Sequence, residues 1–237
     1  MMHDFSILEQ RIGVEFTNKD LLTQAFVHRS YLNENPDFPL FHNERLEFLG
    51  DAVLELIVTD YLYASYPDKP EGELTSWRAA LVNAKMLALI AREIELNDFL
   101  LLSRGEKKEM GKARDYILAN TFEALMGAIY LDRGIEKARE FVKRFLLPKI
   151  SVVQEERLFQ DAKSRFQEVA QEKTGVTPVY KLLQETGPDH AKHFTIGAFL
   201  NQELVGQGEG SSKQEAEERA AKIALEKFEK AEYGEKA

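Results

Sequence analysis

Three acidic side chains recur at helical spacing in the run His42-Asn43-Glu44-Arg45-Leu46-Glu47-Phe48-Leu49-Gly50-Asp51-Ala52-Val53-Leu54. At about 100° per residue, Glu44, Glu47 and Asp51 fall within an arc of about 60° on one helix face, while Leu46, Phe48, Leu49 and Val53 cover much of the remainder. Carboxylates three and four apart repel by a few tenths of a kcal/mol, so the stripe is mildly unfavourable unless cations neutralise it. Further along, Asn120 and Glu123 offer an amide and an acidic oxygen at i, i+3 inside the otherwise apolar run Ile117 to Leu131. Two helices of this kind make an all-oxygen site for a hard cation, Mg²⁺ or Mn²⁺. Spacing alone leaves a second reading open, in which the acidic stripe is a solvated face partnered by Arg45 or Arg78. With no cysteine in the chain, thiol catalysis and thiolate zinc sites are excluded. His28 and His42 each lie near apolar residues and read as packed, hydrogen-bonded side chains rather than general bases.

The elements needed to position these groups follow from periodicity. Apolar spacing predicts helix after helix from Ser6 to Lys149, with no strand. Ser6 with Glu9 and Thr17 with Asp20 have capping-box spacing. Helices are predicted over Glu44 to Tyr66, stopped by Pro67; Leu74 to Ile94, after a polar loop at 68–73; Lys112 to Arg133, closed by Gly134 in the left-handed C′ position; and Glu136 to Leu147. Near Gln160 the texture changes. A helix from Asp161 to Thr174 precedes a strand at Val179 to Gln184. His193 to Leu200 then alternates, with Phe194, Ile196, Ala198 and Leu200 on one side. Asn201-Gln202 reads as a hairpin turn into Glu203 to Gln207, and Ser212 with Glu215 opens a last helix whose Ala216, Ala220, Ile223 and Ala224 share a face. The expected fold is an all-α domain followed by a small α+β domain in the order α-β-β-β-α.

Composition sets the bounds. In 237 residues, 44% are hydrophobic and 30% charged, which supplies a core and lacks the signature of disorder. No stretch approaches the ~20 apolar residues of a membrane span, and the start lacks the pattern of a secretory signal, so a cytoplasmic protein with no membrane partner is expected. The formal charge of −9 argues against a broadly basic surface, so any phosphate binding depends on local patches or on metal ions. Arg104, Lys107, Lys108, Lys112 and Arg114 form the best such patch, with an ordinary solvated loop as its alternative.

The string HNERLEFLGDAVLEL resembles the signature of the ribonuclease III family of double-strand-specific endoribonucleases. The resemblance extends through EGELTSWRAALVN, ILANTFEALMGAIYLD, GPDHAKHF and GEGSSKQEAEERAA, nearly the whole chain, and the α-β-β-β-α order is that of a double-stranded-RNA-binding domain. It implies a nuclease domain at 4–149, a linker at 150–160, an RNA-binding domain at 161–230 and a charged, frayed tail at 231–237. It implies metal ligation by Glu47, Asp51, Asn120 and Glu123, with Asp51 and Glu123 catalytic and Glu44 supporting. Mg²⁺ is the expected cofactor, with Mn²⁺ substituting, and no nucleotide cofactor is expected. Asn120 departs from the family's aspartate, so the four-group cluster carries −3 rather than −4 and weaker metal binding is expected.

By the same resemblance the substrate is double-stranded RNA, including ribosomal RNA precursors and other structured RNAs. Products would carry 5′-phosphate and 3′-hydroxyl ends with short 3′ overhangs. The partner is a second copy of the chain in a homodimer, for which Phe41, Phe48 and Leu49 are candidate contacts; Phe48 and Leu49 could equally belong to the core. RNA contacts fall on Ser164, Gln167 and Glu168; on Gly187 to Lys192, including Pro188 and His190; and on Ser211, Ser212 and Lys213, at a helix N-terminus suited to phosphate. Residues 161–230 contain 10 Lys and Arg against 12 Asp and Glu, so this domain is expected to bind RNA modestly, with a shallow salt dependence. A non-catalytic duplex-RNA-binding dimer is the alternative that Asn120 and the thin basic surface suggest. A small-molecule metallohydrolase would leave the second domain unexplained.

Overall fold

The structure is a computed structural model that describes residues 4–108, 110–155, 162–188 and 192–234. The chain divides into two compact units, 1–159 and 160–237. In the first, α1 (Ser6–Ile12), α2 (Lys19–Ala25), α3 (Arg29–Glu34), α4 (Glu44–Ser65), α5 (Glu71–Leu81), α6 (Ala84–Glu93), α7 (Lys112–Phe145) and α8 (Ile150–Glu155) enclose one apolar core. Its centre is built from Leu54, Ile57 and Val58 of α4 and Leu118, Phe122, Leu125 and Ile129 of α7, all 1% exposed or less. The alternation of these residues with polar ones at three- and four-residue steps is what makes the two helices pack lengthwise.

Two glycines set how closely they pack. A Cβ on Gly50 of α4 would lie 1.7 Å from the carbonyl oxygen of Glu123, and one on Gly127 of α7 would lie 2.3 Å from that of Leu46. The backbones therefore touch where Glu47 and Asp51 flank Gly50 and where Glu123 lies one turn before Gly127. The start of α4 is fixed by the buried Asn43, whose Nδ2 donates to the Ala25 carbonyl (3.1 Å) while its own carbonyl accepts from Leu46 N and Glu47 N. At the other end of the α2–α7 contact, Asp132 accepts from the backbone N–H groups of Thr17 and Asn18 at 2.8 Å.

Several expectations need correction. The helix predicted over Leu74 to Ile94 is two helices, because Asn83 adopts an extended conformation and caps α6 by accepting from Met86 N; α5 also begins earlier, at Glu71, after Pro70. Ser6 and Thr17 do not cap: Asp4 accepts from Ser6 N, and Asn18 accepts from Asp20 N and Leu21 N. Gly134 does interrupt the helix, as expected, so α7 is two helical runs joined at a kink and ending at Phe145; but its φ of 79° and ψ of 176° are not the left-handed C′ geometry expected of it. Val27 and Leu101 form one parallel bridge where no extended pairing was expected. The segment assigned to a linker begins instead as α8, with Ile150 and Val153 buried in the first unit's core; 156–160 lie outside the described residues.

The second unit runs α9 (Ala162–Thr174), β1 (Val179–Thr186), β2 (His193–Leu200), β3 (Glu203–Gly210) and α10 (Lys213–Gly234). Its antiparallel sheet has the order β1-β2-β3, and Asn201, with φ of 57°, turns the β2–β3 hairpin. Gly206, Gly208 and Gly210 alternate along β3 and face α10, where a Cβ on Gly208 would lie 2.3 Å from Ala220 N. That approach buries Ala216, Ala220 and Ala224; Ile223, expected on the same face, is 39% exposed. Ser212 does cap α10, accepting from Glu215 N at 3.2 Å, while Glu215 accepts from Ser211 N and Oγ. The helix outruns the tail boundary expected at 231, since nothing between Glu229 and Tyr233 breaks a helix; 235–237 lie outside the described residues.

Candidate active site

Across the α4–α7 contact, the acidic stripe and the Asn120/Glu123 pair share one electrostatic environment. Glu47 is half-buried and held above the usual carboxylate range, first by burial and then by the Glu44 charge; a hydrogen bond with Asn120 pulls it down and Asp51 raises it. Glu123 is pushed up to about 8, first by burial and then by Asp51 and Glu47. Four of the expected residues are thus brought together: Glu47, Asp51, Asn120 and Glu123. Glu44 lies at the edge, half-exposed, with Arg29 Nη1 and His42 Nδ1 each 3.7 Å from its carboxylate. The partner suggested for the stripe, Arg78, bonds Thr59 Oγ1 instead at 3.1 Å.

The donor set is three carboxylates and an amide, all oxygen, which suits a hard divalent cation. Among the described residues, no three His, Cys, Asp or Glu side chains are gathered into a ready metal shell. The raised position of Glu123 comes first from burial and then from the Asp51 and Glu47 charges, and a cation bound beside it would offset all three. His28 belongs to the scaffold: its Nδ1 is 2.8 Å from Ser30 Oγ and accepts from Ser30 N, Ser30 Oγ accepts from Ser103 N, and burial pulls its pKa down.

Of the basic patch, Arg104, Lys107, Lys108 and Lys112 are exposed. Arg114 is turned back to donate to the carbonyls of Glu106 and Lys107.

In the second unit, Ser164 and Gln167 of α9 line a groove of about 390 Å³ with Gln214 of α10. Glu168 is exposed on the same helix. Sequence reasoning missed Lys163 and Tyr180 in this groove, although Lys163 stands beside Ser164; its ammonium lies 2.6 Å from Glu217 and 5.1 Å from the Tyr180 ring. Ser211, Ser212 and Lys213 sit at the α10 N-terminus, with Lys213 5.8 Å from the Phe194 ring centre. Pro188 is exposed, and His190 lies outside the described residues.

These two arrangements match two known descriptions, Ribonuclease-III-like over residues 18–150 and double-stranded RNA binding motif over 162–228. The chain is 49% identical to Ribonuclease 3 of Pelotomaculum thermopropionicum and 43% identical to that of Streptococcus pneumoniae strain P1031. Each match spans 222 residues, 94% of this chain and 92% and 95% of the relatives. Among solved structures, the nuclease domain of ribonuclease III from Campylobacter jejuni superposes with a TM-score of 0.56 at 41% identity, covering 61% of this chain and 99% of that one. With its helical unit and its RNA-binding unit both matched, the chain belongs to the ribonuclease III family.

Proposed function

We propose that this protein is a metal-dependent endoribonuclease that cuts both strands of double-stranded RNA, and that Asp51 and Glu123 are its central metal-holding and catalytic side chains. The observation that carries this reading is the crowding of Glu47, Asp51 and Glu123 across the α4–α7 contact, in a chain that also carries a duplex-RNA-binding unit. Mg²⁺, or Mn²⁺ in its place, would be held by Asp51 and Glu123, with Glu47 and Asn120 completing the shell. When bound, the ion lowers the pKa of a bound water and neutralises charge developing on the phosphodiester.

The chain's own residues supply the rest. Glu123, held up to about 8 by burial and its acidic neighbours, would have to lose its proton to act as a ligand, so ion binding there would release a proton and strengthen as pH rises. Asn120 holds the Glu47 carboxylate in place. Glu44, tethered near Arg29 and His42, supports the rim. No side chain need act as a covalent nucleophile: water would attack phosphorus and the 3′-oxygen would leave, giving 5′-phosphate and 3′-hydroxyl ends. In the second unit the α9 groove and the α10 N-terminus meet phosphates and 2′-hydroxyls, the features by which A-form RNA is held.

With one such cluster among the described residues of each chain, two chains would present one site to each strand of a duplex. The support for a homodimer is an exposed apolar stripe on α4, with Phe48 81%, Leu56 61% and Tyr63 77% exposed, beside Phe41 at 79%. A groove of about 800 Å³ lined by Phe41, Phe48 and Leu49 lies at one end of it. The Campylobacter jejuni nuclease domain is itself described as having a region involved in dimer formation. Ribosomal RNA precursors and other structured transcripts in the cytoplasm are the proposed substrates.

Incubating the purified chain with a long perfect RNA duplex tests the reading. Short duplex products with 5′-phosphates in Mg²⁺, and none in chelator, are expected. Asn120 gives weight to a second reading, a duplex-binding dimer without turnover, and that protein would hold the duplex and leave it uncut at every Mg²⁺ concentration.

A further inference from the structure

Within the RNA-binding unit, among the described residues, α9 and α10 both pack on one face of the sheet and leave the other uncovered by either. Gly206, Gly208 and Gly210 point towards α10, so the alternate residues of β3, Leu204 on one side of its register irregularity and Gln207 and Glu209 on the other, look outward. Gly197, mid-β2, marks the centre of this outer face: a Cβ there would meet Leu204 Cδ1, Phe199 Cε2 and Leu183 Cδ1 at 2.7, 2.8 and 3.1 Å. These side chains close over the glycine as an apolar cluster. Leu183 and Leu204 are 44% and 43% exposed, and Val179, paired with Phe199 across the strands, is 50% exposed. Lys181 lays its ammonium 5.0 Å from the Phe199 ring centre. The residues expected to meet RNA belong to α9, the β1–β2 connection and the α10 N-terminus, so a bound duplex leaves this face open.

We infer that this outer sheet face docks against the same face of a second copy of the chain when copies are gathered on RNA. Three features identify the occupant. The face carries both signs of charge on opposite edge strands, Lys181 on β1 and Glu209 on β3. Of the two-fold rotations that appose two such faces, the one whose axis runs along the strands sets each copy's β1 over the other's β3, and this is the inferred packing. The centre between the charges is apolar, because Leu204, Phe199 and Leu183 close over Gly197.

Size is the third feature. Three eight-residue strands span roughly 26 Å by 14 Å, about 360 Å², less than half of the ~800 Å² per partner in a stable interface. A face this small cannot hold a partner from dilute solution. It becomes effective when a shared duplex or a joined pair of chains raises the local concentration into the millimolar range. The consequence is cooperative filling of long duplexes, whether or not the chain cuts them.

The chain contains no cysteine, so a single introduced thiol is a unique reporter. Full-length Gln207→Cys, and as control Lys222→Cys on α10, are treated with a short bis-maleimide in chelator, on a duplex of about 60 base pairs and on one of about 16, the span of one such domain. Binding to the short duplex, unchanged in every variant, verifies folding and RNA recognition independently of docking. At least fivefold more crosslinked dimer is expected for Gln207→Cys than for Lys222→Cys on the long duplex. Adding Lys181→Glu should remove that excess, and Glu209→Lys on top should restore it. Equal crosslinking at the two positions, an excess indifferent to Lys181→Glu, or no rescue by the double exchange would overturn the inference, the last two pointing to another partner or packing.

Discussion

Asn120 stands in the proposed site where the sequence resemblance implies an aspartate, and it affects two things at once. It removes one formal charge from the cluster, and its amide donates to Glu47, which an aspartate could not do. Asn120→Asp should therefore lower the Mg²⁺ concentration for half-maximal cleavage by roughly threefold to tenfold, since ligand charge tunes affinity for hard cations. The saturated rate should change little. Initial rates against Mg²⁺ for both proteins check this; a natural protein inert at all concentrations beside an active Asp variant would refute the enzyme reading.

Glu123 gives a pH prediction. Its folded pKa, about 8, is above the ordinary 4.5, so in the metal-free protein the native state holds a proton that the unfolded chain releases. The stability this contributes is complete below about 4.5 and lost as pH rises through about 8. In chelator, the Tm of the natural protein should fall more between pH 5 and 9 than that of Glu123→Gln, a difference readable by calorimetry. The three-and-four spacing of Glu44, Glu47 and Asp51 was legible because one helix fixes it. The elevated pKa of Glu123 was not, because it arises from burial against another helix.

At the scale of elements, the site depends on how closely α4 and α7 approach. Helix propensity alone says that Gly50→Ala should stabilise an internal helical position by about 1 kcal/mol. The packing says the reverse, because the new methyl would overlap the Glu123 carbonyl. We expect destabilisation of about 3 kcal/mol or more from overpacking, with cleavage lost as the helices separate. Gly127→Ala should act in the same direction, and urea unfolding of both variants measures the sign. Glycine inside a strongly periodic helix was the available signal for this contact, and it was passed over. The division of the Leu74 to Ile94 region into α5 and α6 was also missed, because Asn83 is a modest helix former whose capping role appears only once Met86 N is placed. β2 follows its alternation from His193 to Leu200 as expected and Asn201 turns the hairpin, whereas β1 and β3 run on to Thr186 and Gly210, past the Gln184 and Gln207 expected, because polar and glycine residues at their ends give no strand signal.

For the whole molecule, the sequence left Phe48 between core and interface; its 81% exposure, with Leu56 and Tyr63 on the same stripe, assigns it to the surface. That stripe was hard to see beforehand because α4 is apolar on two sides, one covered by α7 and the other left open. Phe48→Asp with Leu56→Asp should shift sedimentation from dimer to monomer and cost cleavage at least tenfold, while a short duplex still binds; an unchanged dimer would move the interface elsewhere. The central claim is that Asp51 and Glu123, from separate helices, jointly hold the ion that cleavage needs. Calorimetric titration of Mn²⁺ into the full chain, Asp51→Asn and Glu123→Gln, alongside duplex cleavage and binding, tests it most directly. Either substitution should weaken Mn²⁺ binding at least tenfold and abolish cutting with duplex affinity intact. A variant that binds Mn²⁺ and cuts like the natural protein would contradict the account.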